Sequence, residues 1–76
     1  MRVMINGCVY EMIKAVRSTM STYDENHVEI IQPCLDLYDS NNKIHEVPMT
    51  RNDIEFALNE LLNTGKINVR FEKQMI

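Results

Sequence analysis

Glycine and proline are scarce, two of each among 76 residues, which leaves few obvious loops and favours helix. The two cysteines, Cys8 and Cys34, lack C-x-x-C spacing. Read as a pair they allow a single disulfide in a small secreted domain. The opening MRVMINGCVYEMIK has no apolar run of the signal-peptide kind, however, so two reduced thiols in a cytoplasmic protein are expected. No stretch approaches the length of a membrane span, and no membrane partner is expected. An excess of positive charge is missing too: eight Lys and Arg face eleven Asp and Glu, for a net charge of −3. Free duplex-binding domains draw most of their affinity from neutralising phosphates, so this balance counts against DNA. There is no glycine-rich phosphate loop, and no Ser-His-Asp or Cys-His order that would set a base beside a nucleophile. A non-enzyme without a cofactor is expected.

What is present describes one small domain, residues 1–76. Apolar residues make up 45% and charged residues 25%, an ordinary globular composition. A chain of this size buries only roughly 60% of its unfolded surface, so modest stability follows. The charge is unevenly spread. Met1 to Tyr23 carries +2, Asp24 to Asn42 carries −5 with no basic residue, and from Lys43 onward five basic and five acidic residues cancel. The acidic middle reads as a solvated surface that repels phosphate.

MRVMI alternates weakly, as a short strand would. In the following NGCVYEMIKAVRSTMSTY, Val9, Met12, Ile13, Val16 and Met20 recur at spacings of three and four. That spacing predicts a first helix capped by Asn6. DENHVEIIQPCLDLYDSNNK predicts a second helix, capped by Asp24 and kinked or split at Pro33, before a DSNN loop. KIHEVPM is short and extended, and Pro48 makes it an edge strand or no strand at all.

TRNDIEFALNELLNTGKINVRFEKQ carries the clearest pattern. Thr50 caps a helix with Asp53 at the reciprocal position, and Ile54, Ala57, Leu58, Leu61 and Leu62 fill one arc. Gly65 supplies a left-handed stop, after which Ile67, Val69 and Phe71 alternate with polar residues as a half-buried strand. Ile54, Leu58, Leu61 and Leu62 are expected to pack on Val9, Ile13 and Val16.

The order of elements, with MTRNDIEFALNELLNTGKINV, resembles the winged helix-turn-helix superfamily. The likeness is specific over Thr50 to Phe71 and topological elsewhere. It implies an α+β domain of three helices with a short β-sheet. The wing is either a tight hairpin through Phe71 and Glu72 or absent, with residues 66–71 pairing instead with residues 44–49. On a helical wheel Asn52, Phe56, Asn59 and Asn63 cluster opposite the leucines. In the resemblance this face enters a major groove, where asparagine reads adenine and phenylalanine meets a thymine methyl, while Arg51, Lys66, Arg70 and Lys73 meet phosphate. An exposed aromatic ringed by polar groups equally marks a protein interface, and three asparagines on a helix also suit a plain solvated face.

Two functions therefore stand as expectations. One is a regulator that binds double-stranded DNA, as a homodimer because one module buries little surface. The other is an adaptor or inhibitor that uses the same face on a nucleic-acid-handling protein. His27, His45, Cys8 and Cys34 match no common zinc spacing, and no metal site is expected.

Overall fold

The computed structural model describes residues 1–70. Its elements are β1 (Arg2–Ile5), β2 (Cys8–Tyr23), β3 (Glu29–Asp39), β4 (Ile44–Pro48), α1 (Arg51–Thr64) and β5 (Lys66–Val69). They form one five-stranded sheet in the order β4-β3-β2-β1-β5, antiparallel except for the parallel pair β1 and β5. The class is α+β, but three helices with a short sheet is corrected to a sheet with one helix among the described residues. Without a helix before α1 there is no helix-turn-helix there. Of the two readings of the wing, pairing of residues 66–71 with residues 44–49 is overturned, because Lys66–Val69 joins β1 and not β4. The hairpin through Phe71 and Glu72 lies outside the described residues.

The first predicted helix is strand β2. Asn6 is not a helix cap; with Gly7 it makes a two-residue hairpin turn at φ 48° and 85°. Both central residues take positive φ, the twist that suits adjoining strands. Val9, Tyr10, Ile13, Val16, Thr19, Thr22 and Tyr23 are spread along β2, and β-branched and aromatic residues fit a pleated surface. The helix-like spacing comes from a bulge. Met12 pairs with Asp39 and Lys14 with Tyr38, so Ile13 is an extra residue that shifts the phase and lets both Met12 and Ala15 face the core.

The second predicted helix is strand β3, and Pro33 lies inside it unharmed. The Pro33 carbonyl accepts the Met49 amide at 3.2 Å, so its backbone polar groups point towards the β4 side. The amide that proline lacks would have pointed there as well, so no bond to β2 is lost.

Helix α1 forms as the sequence indicates. Thr50 Oγ1 accepts the Asp53 amide at 3.2 Å, and Gly65 (φ 72°) donates its amide to the Leu61 carbonyl. The helix joins the two edge strands β4 and β5. Its 14 residues make about 21 Å, enough to cross roughly 19 Å of sheet. It buries Ile54, Ala57 and Leu61 against Val3, Ile5, Met12, Leu35, Leu37, Val47 and Val69. The expected packing on Val9, Ile13 and Val16 is overturned, because all three are exposed. Leu58 is half-buried and Leu62 is 83% exposed, since the arc on the sheet is narrower than the leucine stripe.

β1 covers β2 only as far as Met12, which exchanges hydrogen bonds with Met1, and β4 pairs with β3 only from Cys34 onward. Beyond these limits β2 and β3 continue as a two-stranded arm, giving a molecule 41 Å long and 23 by 20 Å across.

Candidate functional site

An open groove of about 630 Å³ follows one flank of α1, where Asp53, Phe56, Ala57, Glu60 and Thr64 form a wall. The opposite wall is β5 with its neighbour β1, through Arg2, Met4, Lys66, Ile67, Val69 and Arg70; Pro48 and Met49 close one end. Phe56 is 68% exposed and stands beside the groove. The helix wall is acidic through Asp53 and Glu60, and the strand wall is basic. Of the three cations there, Arg2 shares its charge with Glu11 at 3.5 Å. The strand wall is fixed by Thr64, whose hydroxyl accepts the Lys66 amide at 3.2 Å and donates to the Glu60 carbonyl at 2.7 Å.

The structure divides the residues that the sequence nominates. Phe56, Lys66 and Arg70 meet at this groove. Asn52, Asn59 and Asn63 are exposed on the adjoining face of α1. Arg51 belongs to a separate hollow of about 450 Å³ at the other flank, with Arg17, Thr19, Pro33 and Glu55. There Arg17 donates to both carboxylate oxygens of Glu55, from Nε to Oε1 and from Nη2 to Oε2 at 2.8 Å. The pair holds the Glu55 carboxyl below its ordinary range, first through the hydrogen bond. Lys73 lies outside the described residues. The apolar part of the groove was missed in sequence because it depends on β5 pairing in parallel with β1, a contact no local pattern encodes.

The acidic run does not form one surface either. Asp24, Glu25 and Glu29 ride at the end of the arm, whereas Asp39 is buried. Asp39 Oδ1 accepts the amides of Asn41 and Lys43 at 2.8 and 3.0 Å, and Oδ2 lies 2.9 Å from His45 Nε2. The His45 ring in turn packs on Tyr10, centroids 4.6 Å apart. The His45 hydrogen bond, helped by the two amides, holds the Asp39 carboxyl below its ordinary range despite burial. His45 is thus part of a structural pair. The carboxylate is used up in fixing a turn, so the pair does not resemble a poised catalytic base.

Cys8 is exposed and Cys34 buried, both as free thiols. Cys34 Sγ donates to Asp36 Oδ1 at 3.5 Å, and burial pushes its thiol up, away from the thiolate a nucleophile or metal ligand needs. Cys34, Asp36 and Glu46 are the one cluster of metal-ligating side chains among the described residues. Of the four residues weighed from sequence, His27, His45, Cys8 and Cys34, only Cys34 belongs to it. No helix among the described residues is long and apolar enough to cross a membrane. Comparison with protein-family models, curated proteins and solved structures gave no match to this chain.

Proposed function

We propose that this chain is a non-catalytic protein-interaction module, and that it seats an extended apolar segment of a partner protein in the groove between α1 and β5. The observation that carries this reading is Phe56: a large aromatic, 68% exposed, on the wall of a groove lined also by Met49, Ala57, Ile67 and Val69, with acidic residues on the helix side and basic residues on the strand side. Leaving a phenylalanine in water forfeits roughly 1.5–3 kcal/mol of burial, a cost that a covering partner removes. Aromatic anchors beside a pocket, with a polar rim, are the residues that dominate protein interfaces. Asp53 and Glu60 on one rim with Lys66 and Arg70 on the other would orient the segment. A duplex docked on Lys66 and Arg70 would instead meet the helix carboxylates Asp53 and Glu60 close to its phosphates.

Selection from a random peptide library, run beside titration of random-sequence duplex DNA over a salt series, tests the reading. Peptides sharing an apolar consensus should emerge, lose affinity about tenfold or more with Phe56→Ala, and change little with Asn59→Ala. Duplex binding that falls steeply with salt and weakens with Arg70→Ala, with no peptide consensus, would overturn it in favour of DNA.

A further inference from the structure

Strand β2 has 16 residues, but β1 accompanies it only through Met12. From Ile13 to Tyr23 its second edge has no strand beside it among the described residues. The direction of the backbone along this edge follows from Pro33. Thr19 is directly opposite Pro33, whose carbonyl points to the β4 side. Opposed residues of an antiparallel pair point their amides and carbonyls either at one another or both away. Thr19 therefore points away from β3, and by alternation so do Ala15, Arg17, Ser21 and Tyr23. Their backbone groups form an open hydrogen-bonding row with no proline in it, the template on which a further strand adds.

We infer that this edge pairs with the same edge of a second copy of the chain, antiparallel about a two-fold axis at Thr19. Four observations point to a copy rather than to a foreign strand. The available length fits: with Thr19 opposite itself, Tyr23 falls opposite Ala15 of the second copy, so each arm ends where the other copy's β1 begins. The charges fit, because this register sets Lys14 opposite Asp24 and Arg17 opposite Ser21, with no like charges facing. The cross-strand neighbours, Val16 with Thr22 and Thr19 with Thr19, are β-forming residues. Finally, Leu62, 83% exposed, is seven residues from Glu55 and hence on the same flank of α1. Glu55 grips Arg17, so that flank overlooks the edge. The arm of a second copy would bring Tyr23 (65% exposed) to it. This surface is distinct from the groove of the proposed function, and either can fail without the other.

Sedimentation velocity over a concentration series, with the full chain, tests the inference. A monomer–dimer equilibrium is expected. Thr19→Lys places like charges on the axis and should raise the dissociation constant roughly tenfold or more. Ser21→Pro removes an outward amide that the fold does not use, and should do the same. In a Cys8→Ser background, Thr19→Cys should form an intermolecular disulfide on mild oxidation, because residues opposed in a hydrogen-bonded pair sit about 5.5 Å apart. Thr22→Cys, displaced from its own copy, should not. A monomer at every concentration overturns the inference. So does a dimer that withstands Thr19→Lys, or cross-linking through Thr22 in place of Thr19. Should Ser21→Pro disturb folding, the lysine variant and the cross-link still decide.

Discussion

The same two strands, β2 and β3, pass through two environments. Where β1, β4 and α1 accompany them, Leu35 and Leu37 are fully buried; in the arm, Ile30 and Ile31 are 45% and 59% exposed. The side chains are alike, and what differs is whether anything lies over them. Each region is closed by a turn of the same construction. Asp24 and Asp39 both donate their amide to the carbonyl four residues on and accept two amides on Oδ1, and both turns hold their fourth residue at positive φ. Local sequence therefore builds the hairpins equally well at either place, while burial is conferred from outside. Apolar residues in the arm thus contribute little to the isolated chain.

The sharpest way to break this contrast is truncation of matched residues. Leu35→Ala should cost roughly 2–5 kcal/mol in urea unfolding, enough to threaten so small a domain, because it opens a cavity under α1. Ile31→Ala, measured at concentrations that keep the chain monomeric, should cost less than about 1 kcal/mol. Equal losses would mean that the arm is packed in the free chain.

The two aspartates should differ in the same direction. Asp39→Ala removes the turn acceptors and strands His45 against Tyr10, whereas Asp24→Ala removes only turn acceptors that water can replace. Thermal unfolding should show the larger fall in Tm for Asp39→Ala, and a larger fall for Asp24→Ala would overturn the ranking.

How far the sequence disclosed these regions follows from the range of the signals. Helix α1 was legible because Thr50, Asp53 and Gly65 act within one turn of its ends. β1 and the edge strand β4 were legible from alternation and from Pro48. β2 and β3 were not. The bulge at Ile13 moves Met12 and Ala15 onto one face, and their neighbours then imitate a helical stripe. Pro33 looks like a helix break until its orientation towards β4 is known. The Asn6-Gly7 dipeptide between apolar residues was a hairpin signal on its face, and reading Asn6 as a cap obscured it. Exposure of Phe56 could be read from the helical wheel; the groove beside it could not.

Acid should weaken the turn of the covered half. The Asp39 carboxyl is held low, chiefly by the His45 hydrogen bond. Its stabilising effect is therefore present above the unfolded carboxylate value of about 3.9 and is lost as pH falls through the lower folded value. Below pH about 4 the native chain should lose stability progressively. Asp39→Asn, which keeps a turn acceptor without the charge, should flatten that part of the profile. An unchanged slope in that variant would show that Asp39 is not the group responsible.

The smallest effect concerns the residue at positive φ in each turn, His27 (φ 60°) in the arm and Asn42 (φ 63°) in the covered half. The left-handed region crowds Cβ against the following carbonyl, and asparagine offsets this best among residues with a side chain, because its short amide bonds local backbone. The bulkier imidazole of His27 is exposed, with no side-chain hydrogen bond or ion pair among the described residues. His27→Asn should therefore stabilise by about 0.5 kcal/mol, and Asn42→His should destabilise by a similar amount. Since both turns share their hydrogen bonds, the two changes should nearly cancel in the double variant. A loss of stability in His27→Asn would show that the imidazole makes a contact of its own, and the equivalence of the two turns would then end at their backbones.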